Sequence, residues 1–580
     1  MKQQKLALSL AIATSLALVA CSDDEAPQTT DEKPVVTTQE QTTVAAKDVT
    51  QQVAGKPTNN FLTAYQNIDL DKYKERTKIL SSDDFTGREP ATEGGRKTTN
   101  YLAAQFQELG LKPGNGDSYF QQVPLVSIEA SADMQLKLGD STLEYPTDFV
   151  ANSSKLADSI SLEESPLVFV GYGVVAPEYN WNDYEGVDMT GKTAVILVND
   201  PGYGTQNPDL FQGKTMTYYG RWTYKYEEAA RQGAASAIII HDTAPASYGW
   251  NVVSNSWSGA QYHLADAGND PKVDVEMWIT YDQAHALFNQ AGLKLDELQQ
   301  QALSADFKPV PMDVKASVTV NNTINKSESA NVIATIEGSE RPDEHVVYMA
   351  HWDHLGSRPH QEGDNIFNGA IDNATGTAGI LSIAQAFKAL PNKPKRSVTF
   401  MAVTAEEQGL LGSKYYAANP SVPLNKIVGA INIDSMNVSG RVKDLTVVGF
   451  GKSELEEYLA DAAKRQERTL KVEASPERGG YYRSDHFSLA KKGVPAVFAG
   501  GGTEYQDDQD MAQVEKWNAK RGECYHQLCD EYQENWNWQA ALDDVRIFFE
   551  AGYLLSNDTK YPNWYDGTEF KAIREQSLKQ

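Results

Sequence analysis

The sequence predicts an α/β fold in which a mostly parallel mixed sheet lies between layers of helices. Three observations lead to this prediction. Short apolar strands alternate with helices after about residue 328, a pattern typical of parallel sheets covered on both faces. The 580 residues are 41% apolar, a globular composition with enough chain for about three or four domains. The one long apolar run lies at the extreme N-terminus, which argues against a polytopic membrane protein.

The individual elements of the second half follow from these apolar runs. Because α/β folds bind ligands at the carboxyl ends of their strands, functional groups are expected just after each strand. Strands are predicted at 331–336, 346–350, 397–403, 426–433, 445–448 and 494–498, and helices at 374–390, 409–418, 452–465 and 538–555.

A second pattern of strands and helices precedes this region. The pattern begins near residue 165, and this block closes near residue 310. Helices are predicted at 92–109, 221–232 and 283–291, and strands at 167–175, 193–198 and 237–240.

The N-terminus has the pattern of an export signal. Two lysines precede an uncharged apolar run at 6–20, and residues 18–21 (LVAC) resemble the lipobox of bacterial lipoproteins, in which the cysteine is lipidated. An ordinary signal peptide that happens to contain a cysteine is the alternative. We expect 1–21 to be a lipoprotein signal, with Cys21 anchoring an exported protein to the outer membrane. Residues 22–57 are polar and poor in aromatics, and we expect a disordered tether.

Charge and cysteine counts limit the partners. The formal net charge is −27, and such an acid excess argues against nucleic acid, which needs a basic surface. Three cysteines are too few for a disulfide scaffold or a cysteine-rich zinc finger. The lipid is the only membrane contact we expect, and the sequence does not indicate an oligomeric state.

A first candidate metal ligand follows the predicted strand 346–350. This strand ends in His351-Trp352-Asp353-His354, and a histidine at a strand end is a natural ligand for a divalent metal. Asp353 points to the same side and can orient the imidazole of His351. A pair of loop histidines without a ligand role is the alternative.

Carboxylates follow the next elements. Asp372 stands just before a predicted helix, where it could bridge two cations or simply cap the helix. Glu406 and Glu407 follow a strand, so one can bind a metal while the other faces a water, unless both are acids at a solvated helix start. Asp434 ends an otherwise apolar strand, where a buried carboxylate needs a partner.

A last candidate ligand, His526, lies between Cys524 and Cys529. In an exported protein a disulfide would hold the loop that carries His526, which we favour over free or metal-bound cysteines. Two histidines, two aspartates and a glutamate, with one glutamate to spare, suit two divalent ions about 3.5–4 Å apart. Imidazole together with carboxylate favours zinc over calcium.

This set, in this order, resembles the di-zinc aminopeptidase superfamily, which also contains glutamate carboxypeptidase and the transferrin receptor. The resemblance implies the zinc exopeptidase fold and two zinc ions per chain. His351 and Asp434 would bind one zinc, Glu407 and His526 would bind the other, and Asp372 would bridge them. The superfamily often has a cis peptide after the bridging aspartate.

The resemblance also assigns the catalytic groups. Glu406 matches the catalytic glutamate. The Cys-Tyr-His-x-x-Cys-Asp arrangement is similar to secreted bacterial aminopeptidases, where the two cysteines pair and the tyrosine, here Tyr525, stabilises the oxyanion. Another branch places that tyrosine before a Ser-Asp-His triplet, which makes Tyr481 the alternative. His486 of this triplet is expected to be structural.

Residues 140–310 resemble a protease-associated domain inserted before the catalytic sheet, on the motifs FVGYG at 169–173 and GKTAV at 191–195. The resemblance thus implies that 58–139 is the N-terminal part of the catalytic domain and that 311–580 is the catalytic peptidase domain. In the carboxypeptidase relative this domain helps to form the substrate pocket. Arg221 and Trp222 lie near the corresponding segment, where a packed helix start is the alternative interpretation.

The resemblance implies an aminopeptidase that removes N-terminal residues from peptide substrates, with Glu406 as general base. A carboxypeptidase or dipeptidase on the same scaffold is the main alternative. A mono-zinc glutaminyl cyclase and a non-catalytic binding protein are further ones, although the transferrin receptor has lost the ligands that are present here. There is no Gly-x-Ser-x-Gly motif to support a serine hydrolase.

Overall fold

The computed structural model describes residues 59–266, 271–358, 360 and 363–579. The predicted signal 1–21 with Cys21, and the predicted tether 22–57, lie outside the described residues. Within the described part of the chain, no helix is both long and apolar enough to cross a membrane.

The main sheet is mixed and has a parallel centre, as the sequence predicts. Arg341–His351 pairs in parallel with Arg396–Val403 on one side and with Ile427–Asn432 on the other, while pairings on both flanks include antiparallel ones. In spatial order the strands are Ala260–Leu264, Phe120–Ala130, Val310–Ile336, Arg396–Val403, Arg341–His351, Ile427–Asn432, Ala496–Gly501, Asp444–Val448 and Thr469–Val472.

Both faces of the central strands are buried, which explains their unbroken apolar runs. On one face, Tyr348 packs with the helices Gly376–Ala389 and Trp538–Asn557 and donates a hydrogen bond to a carbonyl of the second. On the other face, Met349 packs in a cluster with the helix Leu411–Ala418. The predicted fold class, a mixed sheet between helices, is therefore confirmed.

A second mixed sheet shares the strand Val310–Ile336, which is 27 residues long and pairs in both sheets. The predicted strand at 167–175 ends at Phe169, because Gly171 and Gly173 adopt positive φ and turn the chain. The domain boundaries and the protease-associated domain stay predictions. The strands in spatial order are Ser141–Glu144, Gln135–Leu138, Val310–Ile336, Ser159–Phe169, Thr193–Leu197, Ser236–His241, Val275–Thr280 and Phe149–Asn152. Short strands lie at Lys112–Pro113, Val175–Ala176 and Trp181–Asn182.

The predicted helices are present with ends shifted by a few residues. One helix that the sequence did not indicate is Met511–Cys524, which buries only Val514, Trp517 and Cys524 and so has a weak apolar periodicity. The helices are Asn59–Gln66, Leu70–Leu80, Glu93–Glu108, Pro201–Thr205, Trp222–Arg231, Thr243–Ala246, Trp250–Ser256, Tyr281–Gln290, Leu295–Gln301, Gly376–Ala389, Leu411–Ala418, Leu455–Lys464, His486–Ala490, Met511–Cys524, Trp538–Asn557 and Lys571–Ser577.

Candidate metal centre

Three neighbouring parallel strands bring their carboxyl ends to one edge of the main sheet. His351 is the last residue of the central strand, and its register partner on one side is Val403, shortly before Glu407. On the other side, Ile427–Asn432 ends two residues before Asp434. Parallel pairing therefore places ligands that are far apart in sequence next to one another.

Asp372 lies between the two histidines. Its Oδ1 is 3.2 Å from Nε2 of His351, and its Oδ2 is 3.2 Å from Nε2 of His526. The ligand atoms of His351, Asp372 and Glu407 lie within 4.8 Å of one another, close enough to hold a metal ion. The carboxylate of Asp372 therefore presents one oxygen to each of the two imidazoles.

The remaining two predicted ligands complete the two sides of this arrangement. Oδ1 of Asp434 is 3.3 Å from Nε2 of His351, and Oε2 of Glu407 is 3.1 Å from Nε2 of His526. The structure thus brings together all five residues that the sequence marked as ligands. Their donor set of two imidazoles and three carboxylates fits zinc, for which nitrogen and oxygen ligands are usual.

The segment around Asp372 is held by the side chain of the next residue, Asn373. The Asp372–Asn373 peptide is cis, in line with the expectation from the superfamily. The Asn373 amide donates to the carbonyl of Ile433 (3.1 Å) and accepts from the N–H groups of Gly376 (3.0 Å) and Ser435 (2.9 Å). The chain path at the centre of the site is therefore tied directly to the segment that carries Asp434.

Asp353 supports the site differently from the expectation. Nδ1 of His351 lies 3.2 Å from the carbonyl oxygen of Asp353, whereas the nearest oxygen of the Asp353 carboxylate is 3.9 Å away. That carboxylate instead accepts the backbone N–H groups of Glu406 (3.1 Å) and Glu407 (3.3 Å). Asp353 therefore orients the imidazole through its backbone and holds the turn of the two glutamates through its side chain.

The imidazoles and carboxylates at the centre stabilise one another's charges. Burial opposes a charged His351, but the carboxylates of Asp434 and Glu406 outweigh it and raise the pKa of this imidazole well above its usual value. Burial also opposes charge on His526, but hydrogen bonds to two of the carboxylates raise its pKa to about 10. Burial would raise the pKa of Asp372, yet hydrogen bonds from the two imidazoles hold it well below its usual value. Bound metal would take over this balancing charge and leave the imidazoles neutral, as metal ligands are.

Glu406 lies beside the ligands and is not part of the cluster of ligand atoms. Burial, followed by the negative charges of Asp434 and Glu407, raises its pKa well above the usual value of a glutamate. A carboxylate with a raised pKa next to a metal site is suited to accept a proton near neutral pH.

The two candidate tyrosines differ in what their hydroxyl groups can reach. Tyr525 is 62% exposed, and its ring stacks on that of His526 with the centroids 3.9 Å apart. Tyr481 is only 2% exposed, and its hydroxyl donates to the carbonyl of Ala496 at 3.3 Å. Burial, followed by the negative charges of Asp372 and Glu407, raises the pKa of Tyr525. Its hydroxyl therefore lies within electrostatic reach of the predicted ligands, while that of Tyr481 is engaged in the core.

The predicted disulfide between Cys524 and Cys529 is present, with the two Cα atoms 5.2 Å apart. It closes the short loop that carries Tyr525 and His526 at the end of the helix Met511–Cys524. The backbone of His526 has a φ of +58°, so this residue depends on its loop being held in place.

Several supporting residues were not foreseen from the sequence. The hydroxyl of Ser484 donates to Oδ2 of Asp434 at 2.6 Å, and the carboxylate of Asp530 accepts the N–H groups of Ile371 and Asp372. The buried Arg88 donates to carbonyl groups around the site, including that of Asp372. Ser484 and Asp530 stand inside motifs that the sequence singled out, so their positions carried a signal, whereas Arg88 carried none.

His486 is not part of the ligand cluster. Its ring is buried and lies beside Tyr481 and Phe498, with centroid distances of 4.5 and 5.3 Å. Neither ring nitrogen makes a hydrogen bond within the described structure. This placement in the core agrees with a packing role.

Comparisons with known proteins extend this picture. Residues 331–549 match the model of peptidase family M28. The chain is 30% identical over 234 residues to leupeptin-inactivating enzyme 1 of Streptomyces exfoliatus, covering 39% of this chain and 49% of that protein. It is 30% identical over 210 residues to a glutamate carboxypeptidase 2 homolog of Caenorhabditis elegans, covering 34% and 25%.

The matched region thus spans about half or less of the length of these curated relatives. Among solved structures, the aminopeptidase from Aneurinibacillus sp. strain AM-1 is 21% identical, with a TM-score of 0.49 over 86% of this chain and 97% of that one. The family match covers the segment that supplies every predicted metal ligand. The segment 331–549 of this chain is therefore similar to peptidase family M28.

Proposed function

We propose that this protein is a di-zinc aminopeptidase that hydrolyses N-terminal residues from peptides. One observation carries the proposal: Asp372 presents one carboxylate oxygen to each of two histidines, and each histidine has a further carboxylate beside it. His351 and Asp434 would hold one ion, Glu407 and His526 the other, and Asp372 would share its oxygens between them.

The bound metals would supply a water of lowered pKa and a Lewis acid for the substrate carbonyl. Glu406 would accept a proton from the water that attacks the peptide carbonyl and would later deliver it to the leaving amine. The N–H of Glu406 is held by Asp353, which fixes the start of the side chain that moves the proton. The same carboxylate would thus take up the proton and give it back.

Tyr525 is the proposed donor to the oxyanion. Its ring stacks on that of His526, and its hydroxyl lies within electrostatic reach of the predicted ligands Asp372 and Glu407. A hydroxyl that donates only as charge develops on the carbonyl oxygen stabilises the transition state more than the substrate.

A carboxypeptidase or dipeptidase is the second candidate, and one observation favours it. Nε of Arg221 is buried and has no hydrogen-bond partner within the described structure. Burial, followed by the like charge of Arg483, lowers the pKa of Arg221 to about 10. Arg483 directly precedes Ser484, which holds Asp434. Two neighbouring guanidinium groups, one of them adjacent in sequence to Ser484, would suit a substrate carboxylate.

A matched substrate panel separates the candidates. The panel consists of aminoacyl anilides, dipeptides with a blocked N-terminus, and dipeptides with an amidated C-terminus. An aminopeptidase hydrolyses the anilides and the amidated dipeptides and leaves the N-blocked ones intact. A requirement for a free C-terminus would overturn the aminopeptidase proposal in favour of the carboxypeptidase. Cyclisation of N-terminal glutamine, with one zinc per chain, would indicate the glutaminyl cyclase instead.

We also propose that the chain is an exported bacterial lipoprotein, anchored to the outer membrane through Cys21. This proposal is supported by the sequence pattern alone. Cell fractionation of the wild-type chain and of Cys21→Ala tests it. We expect the substitution to move the protein from the membrane to the soluble fraction, and equal membrane retention of both forms would contradict the proposed anchor.

A further inference from the structure

His354 contacts a predicted metal ligand without belonging to the ligand set. It follows the strand Arg341–His351 in the chain and is fully buried. Its Nδ1 lies 2.7 Å from Oε1 of Glu407, while the other oxygen, Oε2, lies 3.1 Å from Nε2 of His526. The two oxygens of Glu407 therefore face two different histidines.

The surroundings of His354 indicate which ring nitrogen carries the proton. Nε2 is buried and has no hydrogen-bond partner in the described structure. A buried N–H without an acceptor costs more than a lone pair without a donor, because the N–H gives up a full hydrogen bond to water. The arrangement that leaves least unsatisfied places the proton on Nδ1, which then donates to Oε1 of Glu407.

The ring is held in this orientation by the segment that leads to Asp372. Gly369 has a φ of +53°, and a Cβ atom there would lie only 2.5 Å from the His354 ring. The backbone N–H of His354 donates to the carbonyl of Arg88 at 3.3 Å. Close packing on one side and a backbone hydrogen bond leave the imidazole little freedom to turn away from Glu407.

We propose that His354 is a positioning residue that occupies Oε1 of Glu407 and so leaves Oε2 as the atom presented to metal beside His526. A residue that forms a hydrogen bond to a metal ligand and orients it in this way typically contributes about 10- to 100-fold to metal affinity. The inference rests on the proposed metal site, but it concerns the affinity and geometry of one ion rather than the reaction.

Three variants at one position test the donor. His354→Leu removes it. His354→Asn keeps an N–H near the place of Nδ1, and His354→Gln moves the N–H toward the place of Nε2. Zinc dissociation constants are measured by competition with a chelator, and the visible spectrum of the cobalt-substituted protein reports ligand geometry. The unfolding temperature of the metal-free form reports folding separately.

We expect His354→Leu and His354→Gln to bind one zinc ion about 10- to 100-fold more weakly, with an altered cobalt spectrum, while His354→Asn stays close to wild type. The matched control is His345→Leu, which removes a half-buried histidine from within the strand Arg341–His351, where its Nδ1 lies 2.9 Å from Oγ1 of Thr399. This control should leave zinc affinity unchanged.

Several outcomes would overturn the inference. Wild-type affinity and spectrum in His354→Leu would show that the contact does not position Glu407. If His354→Leu does not fold, the Asn and Gln variants decide, and equal zinc affinity of these two would refute a donor at Nδ1.

Two results with the wild-type chain separate this inference from the proposed function. A wild-type chain that bound zinc normally but hydrolysed no peptide would contradict the proposed function alone. A wild-type chain that bound no zinc would remove both.

Discussion

Replacement of Glu406 by glutamine is the sharpest test of the proposed catalytic base. The change keeps the size of the side chain and removes its ability to accept the proton. The N–H of residue 406 remains bound to Asp353, and the five proposed ligand residues are untouched, so we expect metal content to stay the same.

The expected size of the effect follows from the role. A positioned general base contributes about 10²- to 10⁴-fold, which corresponds to about 3–5 kcal/mol in the activation barrier. Both kcat and kcat/KM for an aminoacyl anilide should fall by this factor, because a proton acceptor acts in the transition state more than in substrate binding. Elemental analysis of the same preparation measures the zinc.

A matched control makes the result specific to the site. Glu473 is another partly buried glutamate whose pKa is raised by burial, and it accepts the N–H of Gly449 at 2.8 Å. Glu473→Gln should retain full activity. If Glu406→Gln kept near-normal turnover with its metal in place, Glu406 would not be the base, and the reasoning from its position beside the ligands would be refuted.

Three further predictions concern the loop that carries His526 and the segment 140–310. Tyr525→Phe should lower kcat by about 10²- to 10³-fold with little change in KM. The control Tyr481→Phe should lower the free energy of unfolding by about 1 kcal/mol and leave activity unchanged. An equal loss of activity in both variants would contradict the assignment of Tyr525 to the oxyanion. The double variant Cys524→Ser, Cys529→Ser opens a loop of sequence separation 5. It should lower the free energy of unfolding by about 2 kcal/mol and weaken zinc binding at His526. An unchanged denaturation midpoint would argue against a stabilising role of the disulfide. Burial raises the pKa of Glu276 to about 7, so the folded state binds the proton of this carboxyl more tightly than the unfolded state does. The free energy of unfolding should therefore fall as pH rises from about 4.5 to about 7. Glu276→Gln should remove the contribution of this residue to that fall, which thermal unfolding across the same pH range would show.

The central sheet and its ligands were accessible to sequence reasoning because two simple rules coincide there. Strands buried on both faces leave unbroken apolar runs, and parallel strands end at a shared edge. His351, Glu407 and Asp434 each follow such a run closely. Asp372 and His526 lie on loops, and their place in the site came from the resemblance to a family rather than from periodicity.

The contacts that support the site could not be predicted from the sequence, because they depend on the path of the loops in the folded chain. Asp353 was expected to use its carboxylate on His351, yet the chain turns so that its carbonyl does this and its carboxylate holds two backbone N–H groups. Arg88 reaches the site from a segment more than 260 residues away. The helix Met511–Cys524 escaped prediction because so few of its side chains are buried. Such features follow from tertiary packing, which local patterns do not encode.

Zinc stoichiometry tests the central claim most directly. The full chain is loaded with zinc, dialysed against metal-free buffer and analysed for zinc per protein, together with Asp434→Ala and His526→Ala. The proposed site predicts two ions per wild-type chain and one in each variant, because the two substitutions remove ligands on opposite sides of Asp372. A single ion in the wild-type chain, retained in both variants, would contradict a shared Asp372 and with it the proposed two-metal mechanism.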